Sequence, residues 1–109
     1  MNRFDALPEF EKEFKRLHKK YKTLEDDFSK FKKVLETFPT GVGNNFIVIH
    51  SDKTVKIIKA RIACQALRDR SLRIIYGYKE SSASIDFIEI YFKGNKENED
   101  RDRIVGYLS

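Results

Sequence analysis

One lysine and two arginines in the middle of the chain are the residues best suited to chemistry. Lys59 and Arg61 alternate with apolar residues in KIIKARI, and Arg73 sits in the same way in LRIIYGY. Positions two apart on an extended strand share a face. Cations therefore recur where a half-buried strand would carry neutral polar residues. A planar guanidinium can meet two phosphate oxygens at once, and an ammonium adds a point charge. Lys56, Arg68 and Arg70 crowd the same region. Residues 53–79 hold eight Lys and Arg against Asp69 alone, a local excess of +7, whereas the whole chain carries +5. Such a concentration is the footprint of a phosphate-bearing or acidic partner. The plainer alternative is a solvated basic surface.

Other constellations fail. Two histidines and one cysteine do not make a recognised zinc site. His50-Ser51-Asp52 is too tight in sequence for a catalytic triad. Cys64 has Arg61 and Arg68 near it in sequence, but a buried, inert thiol is the better reading. The loop Pro39–Asn45 contains GVG; Phe46 stands where a dinucleotide loop needs its third glycine, and no strand precedes it.

The elements that must position the cations can be read from spacing. At 109 residues the chain is expected to be a single domain, residues 1–109. Residues 3–7 can form a brief edge strand. Pro8 suits the first turn of a helix, and Phe10, Phe14, Leu17 and Tyr21 follow at helical spacing. Thr23 is placed to cap a second helix, with Asp26 as a capping-box partner. Its apolar face is Leu24, Phe28, Phe31, Leu35 and Phe38, and Pro39 ends it. The short link at Lys22 predicts an antiparallel helical hairpin. Its Phe stripes need an apolar surface to cover.

That surface is β-rich. Phe46–His50 reads as a short strand. Val55–Ile62, Leu72–Lys79 and Ile85–Lys93 follow as longer ones. The alternation slips near Ile57–Ile58, which predicts a bulge or burial on both faces. In the last run Ile88, Ile90 and Phe92 are assigned to the core, opposite Phe87, Glu89, Tyr91 and Lys93. Side by side, these strands would gather Lys59, Arg61, Arg73, Glu89, Tyr91 and Lys93 on one face, given a suitable register. The polar tail from Gly94 leads to a short last helix starting near Asn95 or Asn98 and carrying Ile104, Tyr107 and Leu108. The fold class is α+β: an N-terminal helical hairpin on a small antiparallel sheet, with a short C-terminal helix. No run approaches the ~20 apolar residues of a membrane span, and the N-terminus lacks the apolar segment of a signal peptide. With a single cysteine, this predicts a cytoplasmic protein.

The order of these elements resembles the RelE/ParE toxin superfamily over nearly the whole chain. The pieces that carry the resemblance are LPEFEKEF at 7–14, KARI at 59–62, LRIIY at 72–76, FIEIYFK at 87–93 and KENEDR at 96–101. The resemblance implies the toxin half of a toxin–antitoxin pair. It implies a cognate antitoxin as partner, mRNA and the ribosome as targets, and neither a membrane, a metal nor a small-molecule cofactor. Lys59 and Arg61 match two cationic positions of the family's active face. Arg73 matches a phosphate-stabilising arginine, and Lys93 lies near a further one. The chain departs from the family pattern in two places. No tyrosine stands early in the last helix, Tyr107 coming late, and the terminal histidine of one branch is absent.

Metal-free RNA cleavage needs the 2′-hydroxyl to attack the neighbouring phosphorus. It also needs a base, cations on the phosphoryl oxygens and an acid for the 5′-oxygen. Arg61 and Arg73 suit the phosphate. Lys59 does likewise, or serves as base if crowding lowers its pKa. Glu89 is the other candidate base, unless it only pairs with Arg61 or Arg73. Tyr91 or Lys93 is the candidate acid, with Tyr91 otherwise a packed aromatic. Lys56, Arg68, Arg70 and Lys93 complete the expected RNA-contacting set. A gyrase-directed or catalytically silent protein-binding module is the alternative.

Overall fold

A computed structural model describes residues 2–67 and 69–109, the side chains of residues 69–71 excepted. Its strands are β1 (Arg3–Ala6), β2 (Phe46–Ser51), β3 (Lys56–Cys64), β4 (Asp69–Lys79) and β5 (Ser84–Phe92); its helices are α1 (Pro8–Lys20), α2 (Leu24–Thr37) and α3 (Arg101–Leu108). The strands form one sheet in the order β1-β5-β4-β3-β2. The expected antiparallel sheet is corrected at one edge. β1 runs parallel to β5, Phe4 beside Ile85 and Ala6 beside Phe87, so the sheet is mixed.

Strand alternation sends every second side chain of β3 and β4 to the helices. Ile58, Ala60, Ile62, Leu72, Ile74 and Tyr76 are buried there with Phe10, Leu24, Phe31 and Leu35. α1 packs on β5 and α2 on β3. The two helices meet through Phe28, whose ring lies 5.7 Å from Phe10 and 5.0 Å from Phe14. The pair is thus less a self-contained hairpin than two helices laid separately on the sheet. Thr23 does not cap α2. Its hydroxyl donates instead to Asp27 Oδ2 at 2.9 Å and accepts from the Ala66 N–H at 3.0 Å, tying the start of α2 to the β3–β4 turn. Past α2, Gly41 turns the chain at φ 87° against the Phe46 ring, where a Cβ would collide.

The slip at Ile57–Ile58 is burial on both faces, since β3 pairs with β4 without a bulge there. Ile57 and Ile58 are each fully buried, on opposite faces. The register of β2 also shifts between Val48 and His50, which leaves Ile49 as the extra residue opposite them. A second bulge corrects the assignment of β5. Ile75 pairs with Glu89 and Tyr76 with Phe87, so Ile88 is the extra residue. Phe87 therefore belongs to the helix-side core and Ile88 to the opposite one. The apolar run FI gave no sign of the shift, because both faces bury an apolar side chain there.

The second face is half covered. Val55, Ile57, Ile75, Ile88 and Tyr91 form a smaller core with Ile104 of α3, joined by Leu7, Tyr107 and Leu108. Gly77 makes room for this packing. A Cβ there would lie 2.7 Å from the Tyr107 hydroxyl, which donates to Asp86 Oδ2 at 2.7 Å. α3 starts at Arg101, later than expected, with Asp100 as its cap: Asp100 Oδ1 accepts from the Arg103 N–H at 3.0 Å. Arg103 then holds Glu13 of α1 through two bonds of 2.8 and 2.9 Å and donates to the Ile88 carbonyl at 2.9 Å. That carbonyl sits at the bulge, where the ladder is interrupted and a side-chain donor takes over. Among the described residues, no helix is long and apolar enough to cross a membrane.

Candidate functional site

The sheet register brings the expected cations together. Arg61 of β3 pairs with Arg73 of β4, and Arg73 pairs with Tyr91 of β5. One row further on, Lys59, Ile75 and Glu89 align in the same way. Lys59, Arg61, Arg73, Glu89 and Tyr91 thus belong to the face that α1 and α2 do not cover. α3 packs near Gly77 and Asp86 on this face, toward the far end from the Arg61–Arg73 pair.

The environments of these residues differ. Arg61 is exposed and makes no ion pair among the described residues. Arg73 is 7% exposed and donates to the Leu72 carbonyl at 3.3 Å. Lys59 is part-buried and donates to Glu99 Oε1 at 3.0 Å. Burial pulls the Lys59 ammonium down, but the bond to Glu99 and the nearby Tyr91 hydroxyl outweigh it, and its pKa lies above the ordinary value. Lys59 is therefore a fixed cation here, and the condition for its use as a base is not met.

Tyr91 is the least satisfied group in the site. Its side chain is buried, and its hydroxyl has no hydrogen-bond partner among the described residues. The Lys59 ammonium is close enough to influence its protonation, but the approach does not meet hydrogen-bond geometry. Burial raises the Tyr91 pKa, with Lys59 opposing, so the hydroxyl keeps its proton at neutral pH. Lys96 lies over its ring at 5.5 Å.

Glu89 is occupied elsewhere. It is fully buried, pairs with the Lys96 ammonium and accepts from the Asp100 N–H at 2.8 Å. These two contacts seat the tail before α3 and tie Glu89 to it, which takes Glu89 away from the role of base. Lys93 is exposed just beyond β5. Lys56 has the parity of Ile58 and so belongs to the opposite face of the sheet from Lys59. Arg68 lies outside the described residues, as does the Arg70 side chain. Cys64 is buried on the helix side, 3.6 Å from the Thr23 hydroxyl. His50 bonds Asp52 at 2.9 Å within a turn that Thr54 and Val55 also hold.

Glu99 and Arg101 escaped sequence reasoning, as did Arg103 of α3. Glu99 is buried and bridges Lys59 and Arg101, the latter at 3.2 Å. All three lie in a charge-balanced tail that reads as solvated. The only available signal was the opposite charge of neighbouring tail residues, which does not say where the segment lands.

No protein-family model matches the sequence, and no curated protein does. Among solved structures, the crystal structure of the archaeal RelE–RelB complex from Pyrococcus horikoshii OT3 contains a chain that superposes with a TM-score of 0.67. The match covers 85% of this chain and 96% of that one at 18% identity. The chain has a RelE-like fold. The RelE-like likeness is one of shape, and it meets the expectation drawn from the order of elements. The roles of individual residues rest on the geometry above.

Proposed function

We propose that this RelE-like chain is the toxin half of a toxin–antitoxin pair and cleaves mRNA without a metal, at the ribosome, in the cytoplasm. Arg73 and Arg61 hold the scissile phosphate, and Lys59 adds charge to its oxygens. The 2′-oxygen attacks phosphorus, and its proton passes to water. The bond from phosphorus to the 5′-oxygen breaks, and Tyr91 gives that oxygen its proton. The resulting phenolate is stabilised by the Lys59 ammonium until solvent reprotonates it. Glu89 positions the tail.

The observation that carries this reading is the buried, unpartnered Tyr91 hydroxyl, next to Lys59 and in register with Arg73. A buried hydroxyl without a partner costs about 1–3 kcal/mol. That cost has a purpose if substrate supplies the partner. A cognate antitoxin of acidic character, disordered when free, has suitable surface to cover. β2 is an edge strand with Ile47 and Val48 exposed, and Val42 is exposed beside it.

One observation favours a protein-binding reading without catalysis: the last-helix tyrosine, Tyr107, is turned to Asp86 and away from the arginines. Expression in a bacterium, with and without Arg73→Ala, separates the two. Growth arrest with cut mRNA, relieved by the substitution, supports the nuclease. Arrest with broken DNA and intact mRNA points to gyrase. No arrest leaves a silent binding module.

A further inference from the structure

The cationic face holds a buried carboxylate of its own. The Glu99 side chain is 4% exposed, with one oxygen 3.0 Å from Lys59 Nζ and the other 3.2 Å from an Arg101 nitrogen. Two oxygens of one anion, each facing a different cation, reproduce how a phosphodiester presents its two non-bridging oxygens. Arg101 is 81% exposed on its side chain, and its one ion pair among the described residues is to Glu99. The segment that carries Glu99 is anchored to the sheet through Glu89, by Lys96 and the Asp100 N–H.

We propose that Lys59 and Arg101 form a seat for a backbone phosphate of single-stranded RNA, which Glu99 fills until substrate displaces it. The inference rests on the RNA-directed reading above. The exchange is anion for anion. Both cations keep a partner throughout, so no buried charge is left alone at the seat. The site holds the Glu99 carboxylate favourably on balance, so the water Glu99 regains on leaving offsets only part of what it gives up, and the phosphate's own contacts to both cations supply the rest. Lys59 also lies beside the Tyr91 hydroxyl, so the seated phosphate is next to the acid assigned to the cleavage step. Arg101 becomes a phosphate-binding residue outside the strands.

The test uses the full chain and a short single-stranded RNA with 2′-O-methyl groups, which cannot be cut. Binding is read by fluorescence anisotropy for wild type, Glu99→Gln, Arg101→Ala and the double variant. Circular dichroism checks that each is folded. Arg101→Ala keeps the Glu99–Lys59 bond, so it reports even if Glu99→Gln loosens the tail. Glu99→Gln should bind about tenfold tighter, the size of one charge-assisted contact. The double variant should lose that gain, and Arg101→Ala should flatten the salt dependence. No gain in Glu99→Gln, or a gain that survives Arg101→Ala, overturns the seat. Cleavage of ribosome-bound mRNA by wild type is measured alongside. Cleavage with no gain sinks the seat and leaves the nuclease standing. A gain without cleavage does the reverse.

Discussion

Arg61 and Arg73 stand directly opposite one another across the antiparallel β3–β4 pair, with Tyr91 next in the same row. Like charges in that position repel, at a cost of some tenths of a kcal/mol up to about 1. An anion between them turns repulsion into attraction. Arg61→Thr, which also suits a strand, should therefore raise stability by about 0.5 kcal/mol and weaken RNA binding several-fold, on the order of one lost phosphate contact. Urea denaturation and RNA titration on the same samples check both halves.

Tyr91→Phe removes a buried hydroxyl that has no partner. The fold should lose nothing and gain up to about 1 kcal/mol, because the desolvation cost goes with the oxygen. Cleavage should fall on the order of 10²-fold, the contribution of a positioned acid. A drop in melting temperature would show that the hydroxyl is bonded after all.

Glu13 and Arg103 join α1 to α3 across 90 positions of sequence. Their side chains are 18% and 15% exposed, so the pair is shielded from solvent but not sealed. Arg103→Ala also strips the donor from the Ile88 carbonyl. A double-mutant cycle with Glu13→Ala should give a coupling of about 1–2 kcal/mol, with Arg103→Ala the costlier single change. Denaturant midpoints measure it.

Much of the site was legible in the sequence. Strand alternation placed Lys59 and Arg61 together, and the apolar partners of Arg73 gave its parity. The register that sets Arg61 opposite Arg73 depends on the β3–β4 turn, and composition does not encode it. Lys56 was grouped with Lys59 by charge, although its parity sends it to the other face. Phe87 and Ile88 were misassigned because a bulge between two apolar residues leaves no mark on hydropathy. β1 pairs in parallel with a strand that α1, α2 and three strands separate from it, a long-range relation that local spacing does not encode. Glu99 and Arg103 were passed over because their partners, Lys59 and Glu13, are far away in sequence.

The Lys59–Glu99 pair should be stable across the neutral range. Burial pushes Glu99 up, but its own backbone N–H, Lys59 and Arg101 outweigh that and hold it below the ordinary 4.5. Lys59 is held above its ordinary 10.5. A depressed carboxyl stabilises the fold above its unfolded value and loses that contribution as pH falls through the folded one. A raised amine contributes below its unfolded value and loses that as pH rises through the folded one. The stability difference between wild type and Glu99→Gln should be flat from about pH 6 to 9 and shrink below about pH 4. Chemical denaturation over a pH series tests this.

The nature of the RNA ends tests the central claim most directly. Attack by the 2′-oxygen, with Tyr91 protonating the 5′-oxygen, leaves a 2′,3′-cyclic phosphate on one fragment and a 5′-hydroxyl on the other. Sequencing the ends of mRNA recovered from ribosomes treated with wild-type protein should find both, at levels reduced on the order of 10²-fold or more with Arg73→Ala. Intact mRNA, or 5′-phosphate ends that Arg73→Ala leaves unchanged, would contradict the account.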